Sequence, residues 1–359
     1  MRIVCFDGNG YYTTRRWYRP GSNCRSTSYL QTISKKIGLD ICCNEHLIGG
    51  AAIDEFNVPL PAKTLQACKE SDAIFLGAVG GPKWKDIEVH LRPEQGLLDL
   101  RKSLELFANL RPVSTQSGLA DLTPFKKGHL SNLNILVIRE LTGGLYFGKR
   151  NRTAHEAFDT CKYTVPEIER VARLAGKLAT KRTRKITSVD KANVLDTSRL
   201  WRDTVSRVIN DEFPSVTLEH IYVDAAAMYL ISQPETFDVL LTENMFGDIL
   251  SDEASMLAGS LGLLPSASLG QNKPGLFEPI HGSAPDIAGQ NIANPVGAIL
   301  SIEMMLRHSF KQADAANALQ LAVNNVLSNG VLTADLVSDG QKPASTIEFG
   351  DAVLENIQI

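Results

Sequence analysis

The chain has 359 residues, of which 43% are hydrophobic and 21% charged, a composition typical of a globular protein. At about 150 residues per domain, this length predicts about two domains, each large enough to bury a core. The 37 lysines and arginines nearly balance the 40 aspartates and glutamates, and the net charge is −3. This balance excludes a nucleic acid or a membrane surface held by bulk electrostatics, so we expect a small-molecule ligand.

The sequence also indicates a cellular compartment. No apolar stretch reaches the about 20 residues that span a bilayer, and the N-terminus lacks a basic region followed by an apolar one. The six cysteines are scattered and none is spaced C-x-x-C: Cys5, Cys24, Cys42, Cys43, Cys68 and Cys161. We interpret them as reduced thiols rather than disulfides or zinc ligands, and expect a cytoplasmic protein.

Short apolar runs alternate with helical patterns from about residue 36 onward, which predicts an α/β fold. Strands are predicted at residues 3–6, 72–79, 132–138, 185–189, 217–223 and 237–241. Helices are predicted at residues 94–107, 165–180, 198–210, 245–258, 295–310, 314–328 and 346–356. No linker or repeat marks a boundary, so composition alone does not place the domains.

Residues 7–32 break this pattern. They are rich in arginine, contain no acidic residue after Asp7, and lack a 3.6-residue apolar period. An α/β unit would place a helix here, and this sequence is a poor helix former. One interpretation is a long basic surface loop. The other is a compensated reading-frame shift, which depends on the family comparison below.

Two carboxylates four residues apart indicate a cation site. The run TENMFGDILSDE places Asp248 and Asp252 on one face of a predicted helix. Two such charges repel by about 0.2–0.5 kcal/mol unless a positive charge lies between them, and Mg²⁺ or Mn²⁺ prefers oxygen ligands. Asp224, at the end of a predicted strand, is a candidate third ligand because α/β folds place sites at strand ends. The alternative is a pair of solvated surface aspartates.

Cationic side chains form the second group of candidates. Guanidinium groups bind carboxylates through paired hydrogen bonds, so Arg101, Arg111 and Arg139 suit a di- or tricarboxylate. Lys191 follows an apolar strand and, near a metal, is a candidate base, while Tyr146 is a candidate proton donor. The alternatives are surface salt bridges, a solvated lysine and a buried, hydrogen-bonded tyrosine.

A turn-rich loop carries the candidate cofactor determinant. The run EPIHGSAPDIAG contains Asp286, whose carboxylate could accept both hydroxyls of an adenosine ribose and would repel a 2′-phosphate. This chemistry favours NAD over NADP. The run DGNG at residues 7–10 does not complete G-x-G-x-x-G, so a Rossmann assignment fails.

The chain contains five motifs that are specific in combination: TENMFGDILSDE, SVDKANVL, ANLRP, RELTGG-YFG and HGSAPDIAG. Together they resemble the motifs of the β-decarboxylating dehydrogenases, also called the isocitrate/isopropylmalate dehydrogenase family. The resemblance is strongest to the isopropylmalate members. The resemblance runs from about residue 37 to the C-terminus. It implies a two-domain α/β fold with a mixed central sheet flanked by helices. Residues 1–106 and 260–359 would form a discontinuous cofactor-binding domain, and residues 107–259 the substrate, metal and dimerisation domain. It also implies a homodimer with shared active sites.

The resemblance assigns roles to individual residues. It implies a substrate clamp of Arg101, Arg111 and Arg139, a Mg²⁺ or Mn²⁺ site of Asp224, Asp248 and Asp252, and a catalytic group of Tyr146, Lys191 and Asp224. Lys191 and Asp224 would come from the partner subunit, and Leu97 and Leu98 would line an apolar pocket for the γ-isopropyl group. The implied NAD contacts are Gly81, Pro82, Lys83, Trp84, Glu94, Asn193, Gly282, Ser283, Ala284, Pro285, Asp286, Ile287 and Asn294.

The implied reaction is the NAD-dependent oxidative decarboxylation of 3-isopropylmalate to 4-methyl-2-oxopentanoate in leucine biosynthesis. Lys191 and Asp224 would remove the C2 hydroxyl proton as hydride leaves for NAD⁺. The metal would stabilise the enolate as CO₂ departs, and Tyr146 would protonate the enol carbon.

Three departures from the family pattern leave alternatives open. Residues 7–32 replace the family's G-D-G-I-G-P-E loop and amphipathic helix, Ala225 replaces its Asn, and the segment at residues 149–159 is short. Because family-like sequence resumes at nearly the expected spacing, we interpret residues 7–32 as a compensated reading-frame shift or a sequencing error. The alternatives are a dehydrogenase for a related malate, such as tartrate, homoisocitrate or methylmalate, and a decayed, non-catalytic paralogue.

Overall fold

The computed structural model of the chain describes residues 2–6, 27–115, 125, 133–271, 274–337 and 340–358. No helix in this part of the chain is long and apolar enough to cross a membrane. The cysteines within the same residues all carry free thiols.

The described residues form strands and helices in the following order. The strands are β1 Arg2–Phe6, β2 Cys42–His46, β3 Ala73–Leu76, β4 Ala108–Ser114, β5 Asn134–Glu140, β6 Arg150–Arg152, β7 Ala157–Asp159, β8 Lys185–Asp190, β9 Thr217–Tyr222, β10 Val239–Thr242, β11 Pro265–Leu269 and β12 Gly275–Pro279. The helices are α1 Thr27–Lys36, α2 Gly49–Phe56, α3 Ala62–Lys69, α4 Pro93–Ser103, α5 Val165–Ala179, α6 Asp196–Glu212, α7 Val223–Ser232, α8 Asn244–Ser255, α9 Val296–His308, α10 Ala313–Ser328 and α11 Thr346–Asn356.

The chain divides into two compact units. The first comprises the described residues up to Leu106 and from Gly259 onward, and the second comprises Phe107–Thr115 and Phe125–Ala258. In the first unit the strand order is β2-β1-β3-β12-β11, parallel except for β11 against β12. In the second it is β4-β5-β10-β8-β9, parallel except for β4 against β5. The predicted α/β fold with mixed sheet strands is therefore confirmed, whereas the cofactor and substrate roles of the two domains stay predictions.

Burial and capping explain why these residues form these elements. The strands at the centre of each unit are apolar and buried along their length, as in β3 and β10. Two helices begin with capping boxes, in which Thr164 pairs with Glu167 at the start of α5 and Ser345 pairs with Glu348 at the start of α11. The predicted elements from residue 94 onward occur within a few residues of their expected bounds.

Three expectations need correction. The helix predicted at residues 94–107 ends at Ser103, because Glu105 adopts a left-handed backbone with φ 52°. The strand predicted to reach residue 223 ends at Tyr222, so Asp224 lies in the first turn of α7 rather than at a strand end. The alanine-rich run at residues 225–227 favours a helix, and a carboxylate is favourable near a helix N-terminus.

The third correction concerns the segment at residues 7–32. Helix α1 begins at Thr27, so the last six residues of that segment are helical, contrary to expectation. Helix α1 buries Leu30 and Ile33, which supply an apolar face of its own. The rest of the segment, with the reading-frame interpretation attached to it, lies outside the described residues.

We predict that Gly176→Ala in α5 destabilises the second unit. Alanine is normally favoured over glycine within a helix by about 1 kcal/mol. A Cβ at Gly176, however, would lie 2.5 Å from the ring of Phe213, and overpacking of this kind costs about 1–3 kcal/mol. Urea unfolding should show a lower free energy of unfolding for the variant. In a Phe213→Ala background the same substitution should be neutral or stabilising, and a loss that persists there would contradict the steric explanation.

Candidate active site

The antiparallel pair β4 and β5 presents two arginines on one face. Asn109 and Arg111 are two residues apart on β4, and the register places Asn109 opposite Arg139 on β5. Because side chains two apart on a strand share a face, and directly opposed residues do too, all three side chains point the same way. The pairing of these strands therefore sets the two arginines side by side.

Helix α8 supplies the carboxylates that face these arginines. Arg139 Nη1 donates to Asp248 Oδ1, and Arg111 Nη1 donates to Asp252 Oδ1 at 2.8 Å. Arg111 Nη2 lies 3.9 Å from Asp248 Oδ1, and the Tyr146 hydroxyl donates to Asp248 Oδ2 at 2.9 Å. The structure thus brings together five of the predicted site residues, which come from four separate segments.

The two carboxylates fit a hard divalent cation. Arg111 reaches both of them, so Asp248 and Asp252 already share one positive charge. Their donor atoms are all oxygen, and the side chain of Asp252 is 67% exposed. Mg²⁺ and Mn²⁺ prefer such donors and usually retain several waters. Two aspartates from one chain leave coordination positions for a substrate and a further carboxylate.

Asp224, the predicted third metal ligand, is not grouped with Asp248 and Asp252 of the same chain. Asp224 Oδ1 pairs with Lys191 Nζ at 2.8 Å, and the hydrogen bond from Lys191 lowers the pKa of Asp224. Among the residues that the structure describes, no three His, Cys, Asp or Glu side chains of a single chain are grouped to hold a metal. The backbone N–H of Lys191 donates to Ser198 Oγ at 3.0 Å, which fixes the turn after β8.

Tyr146 is placed to act as a proton donor. It ends a 3₁₀ turn at Gly144–Tyr146, and its ring centre lies 5.7 Å from the guanidinium carbon of Arg139. Partial burial raises the pKa of Tyr146, and the hydrogen bond to Asp248 raises it further. The phenol therefore keeps its proton at neutral pH.

A buried polar cluster behind the site was not predicted from the sequence. Tyr163 OH lies 3.4 Å from Glu140 Oε2 and 3.3 Å from Glu243 Oε2. Glu140 also accepts the backbone N–H of Gly143 at 2.8 Å, and Glu243 caps α8 by accepting that of Phe246 at 2.6 Å. Burial raises the pKa of Glu140, Glu243 and Tyr163. The available sequence signal was a glutamate one residue beyond a buried apolar run, as Glu140 follows Arg139 and Glu243 follows Thr242.

The first unit carries the remaining substrate candidates. Arg101 Nη2 on α4 donates to Glu278 Oε1 at 2.8 Å, while its buried Nε has no hydrogen-bond partner among the residues that the structure describes. An orphaned buried donor on a guanidinium indicates a place for a ligand oxygen. Leu97 and Leu98 precede Arg101 by about one helical turn and are half-buried. The apolar and cationic candidates of this unit thus lie on one side of α4.

The predicted cofactor segments of the first unit meet. Ser283 Oγ donates to the carbonyl of Gly80 at 2.8 Å, which joins the loop after β12 to the segment before α4. A Cβ at Gly80 would lie 2.7 Å from Glu94 Oε1, and one at Gly81 would lie 3.2 Å from the Trp84 ring, so the backbone is closely approached there. The two glycines thus allow the side chains of Glu94 and Trp84 to pack directly against the backbone of this segment.

The other cofactor candidates are placed as follows. Lys83 Nζ pairs with Asp54 at 2.6 Å, which fixes the 3₁₀ turn that contains Pro82. Asn294 Oδ1 accepts the N–H of Val296 at 3.0 Å at the start of α9. The loop with Gly282 and Ala284 leads into a 3₁₀ turn, Pro285–Ile287, and leaves the Asp286 carboxylate exposed. Asn193 is exposed in the second unit.

Comparison with known proteins gives this geometry its context. A sequence profile of the isocitrate/isopropylmalate dehydrogenase family matches residues 24–353. The chain belongs to this family. A 3-isopropylmalate dehydrogenase of Halalkalibacterium halodurans is 53% identical over 334 aligned positions, which cover 92% of each chain. A 3-isopropylmalate dehydrogenase of Saccharophagus degradans is 50% identical over 362 aligned positions, gaps included, which cover 99% of each chain. The crystal structure of isocitrate dehydrogenase from Methylococcus capsulatus matches with a TM-score of 0.83 at 33% identity, covering 99% of both chains.

We predict a pH signature for the buried cluster of this family member. Burial raises the pKa of Glu243, so the unfolded chain releases this proton at a lower pH than the folded one. The stability that protonated Glu243 contributes is therefore complete below its unfolded pKa of about 4.5 and is lost as the pH rises through the folded pKa. Glu243→Gln should gain stability relative to the wild type between pH 4 and pH 7, measured by denaturant unfolding at about one-unit pH steps.

The matched control is Glu348→Gln in the capping box of α11. Hydrogen bonds from Ser345 lower the pKa of Glu348, so its contribution is present above the unfolded pKa and is lost as the pH falls. This variant should lose relative stability over the same pH range. Parallel pH profiles for the two variants would rule out the buried-carboxylate explanation.

Proposed function

We propose that the chain catalyses the NAD-dependent oxidative decarboxylation of 3-isopropylmalate to 4-methyl-2-oxopentanoate, a step of leucine biosynthesis that we place in the cytoplasm. The observation that carries the proposal is the joint placement of Arg111, Arg139, Tyr146, Asp248 and Asp252. Curated relatives that are at least half identical over most of the chain are named 3-isopropylmalate dehydrogenase. The site geometry and the names of the relatives support the same chemistry.

The side chains have distinct parts in this reaction. Arg111 and Arg139 bind substrate carboxylate, and Arg101 offers a further guanidinium from α4. The Lys191–Asp224 pair, acting as one group, removes the C2 hydroxyl proton, and Tyr146 donates a proton to the carbon that loses CO₂. Mg²⁺ or Mn²⁺, held by Asp248, Asp252 and an Asp224 from a partner subunit, would supply Lewis-acid stabilisation of the developing enolate.

Substrate and cofactor choice follow from the first unit. Leu97 and Leu98 offer apolar surface beside Arg101, which suits an isopropyl group and disfavours a third carboxylate. The exposed Asp286 suits the two ribose hydroxyls of NAD and repels a 2′-phosphate. The remaining proposed NAD contacts are those of the Gly81–Trp84 turn, Glu94, the loop from Gly282 to Ile287, Asn294 and Asn193.

We propose a homodimer with shared sites because one chain is incomplete. Helices α7 and α8 expose large apolar side chains, with Met228 at 62% and Ile249 at 58%, on the unit that carries Asp248 and Asp252. Exposed apolar surface of this kind is typical of an interface, and a second copy is the occupant that also supplies Lys191 and Asp224. The Lys191–Asp224 pair would then complete the partner's carboxylate site.

The deciding experiment measures NADH formation with 3-isopropylmalate, Mg²⁺ and either NAD or NADP. We expect turnover with NAD, and a kcat/KM at least about tenfold higher than with NADP, because two like charges about 4 Å apart cost up to about 4 kcal/mol. Tartrate, homoisocitrate and methylmalate serve as comparison substrates. A higher kcat/KM on one of these would change the assigned substrate to that related malate. No turnover on any substrate would favour the non-catalytic alternative, which is supported by Ala225 in place of the family's Asn.

We predict that two inactive variants complement each other. Tyr146→Phe and Lys191→Met each disable a different half of a shared site, so each homodimer should be nearly inactive. After the two are mixed, unfolded and refolded together in equal amounts, half of the dimers are mixed and each has one intact site, so activity should return to about a quarter of wild type. Activity that stays at the level of the separate variants would show that the two residues act within one chain.

A further inference from the structure

Each of the two arginines of the second unit's site is held by a buried asparagine. Arg111 Nε donates to Asn109 Oδ1 at 2.8 Å, and Asn109 is fully buried. Arg139 donates two hydrogen bonds to Asn244 Oδ1, from Nε at 3.0 Å and from Nη2 at 2.8 Å. Asn244 is only 1% exposed. One asparagine lies on β4 and the other is the first residue of α8.

The asparagine on α8 is fixed on more than one side. Its Nδ2 donates to the carbonyl of Gly143 at 3.1 Å, which directs Oδ1 towards Arg139. Its backbone N–H donates to the Tyr163 hydroxyl at 3.0 Å. The amide therefore links the start of α8, the loop that leads to Tyr146 and the guanidinium of Arg139 in one rigid contact.

Other arginines of the same unit are held differently. Arg202 forms a bidentate pair with the buried Asp190, at 2.8 and 2.9 Å, and Arg173 Nε lies 2.9 Å from both carboxylate oxygens of Glu212. Each of these guanidiniums has a full negative charge against it. At Arg111 and Arg139 the carboxylates are Asp248 and Asp252, which the proposed function gives to the metal.

We infer that Asn109 and Asn244 are positioning residues that orient Arg111 and Arg139 for substrate carboxylate without adding a negative charge of their own. This inference rests on the proposed function. An amide oxygen satisfies guanidinium N–H groups without cancelling the charge, whereas a carboxylate in the same place would form a charge-assisted pair that competes with the substrate. When a cation takes Asp248 and Asp252, the two amides remain and keep both guanidiniums in place.

The test compares isosteric and truncating substitutions by calorimetric binding of 3-isopropylmalate, with Mg²⁺ present and NAD omitted so that no turnover occurs. Asn109→Asp and Asn244→Asp keep the shape and the hydrogen bond but add a charge, and we expect each to raise the dissociation constant about tenfold or more. Asn109→Ala and Asn244→Ala remove the hydrogen bond but keep the arginine charge, and we expect a smaller rise of about threefold. A purely structural role predicts the reverse order, because aspartate would hold the arginine more firmly than alanine.

The matched control is Asn134→Asp. Asn134 lies at the other end of β5, where its Oδ1 accepts from Arg182 Nη2 at 3.0 Å, so the same change is made away from the site. Its dissociation constant should equal that of the wild type. Melting temperatures identify any variant that does not fold. If the Asp and the Ala variant both fold at either position, their two dissociation constants decide which substitution weakens binding more.

Each outcome has a separate meaning. Aspartate variants that bind as well as wild type, or better than the alanine variants, would overturn the positioning inference while leaving the proposed function intact. Absence of saturable binding by the unsubstituted protein would overturn both. A weakening by Asn134→Asp equal to that of Asn109→Asp and Asn244→Asp would attribute the effect to general charge, and would also overturn the inference.

Discussion

The ion pairs between the arginines of β4 and β5 and the carboxylates of α8 constrain the rest of the second unit. Arg139 is only 5% exposed, and a buried guanidinium without partners costs several kcal/mol, so α8 must present Asp248 at this place on the sheet. The helix can approach because residue 247 is glycine. A Cβ there would lie 2.7 Å from Arg139 Cγ and would overlap Thr242 Oγ1. The charge pair and the missing side chain together fix the distance between helix and sheet.

The buried cluster around Tyr163 stabilises two segments next to these ion pairs: the turn after β5 and the start of helix α8. Glu140 ends β5 and caps the turn that leads to Tyr146, while Glu243 follows β10 and caps α8. The single Tyr163 proton can satisfy only one of the two carboxylates at a time. Since burial raises the pKa of both acids, a proton retained by one of them removes the repulsion between them. The cluster therefore supports, from behind, the 3₁₀ turn that carries Tyr146 and the helix α8 that carries Asp248 and Asp252.

The sequence was most informative where function depends on local spacing. Asp248 and Asp252 could be placed on one helical face, and Arg139 at the end of a strand, because a helix turns every 3.6 residues and apolar runs mark buried strands. Partners distant along the chain could not be predicted. Asn244 lies 105 residues from the Arg139 that it holds, and a single asparagine in a polar motif carries no signal of that contact.

Local competition explains the errors. Asp224 was expected at a strand end because an apolar run precedes it, but the alanines that follow favour a helix, and α7 begins one residue before it. The helix predicted to continue to residue 107 ends at Ser103 because the chain turns at Glu105 before entering β4. Apolar periodicity does not distinguish the last turn of a helix from buried residues that follow a turn. Leu106 and Phe107 are both buried, and for this reason the helix was predicted to continue through them.

Charge balance links the resting site to its proposed ligands. Arg111 and Arg139 carry two positive charges, and Asp248 and Asp252 carry two negative ones, so these four side chains sum to zero. A divalent cation alone would leave this half-buried group with an excess of two positive charges, and a dicarboxylate alone would leave an excess of two negative ones. Both together restore neutrality, and each excess would be costly because the arginines are shielded from water. The same pairs that fix α8 in the free chain therefore favour cation and dicarboxylate as joint occupants, and by linkage each should strengthen the binding of the other.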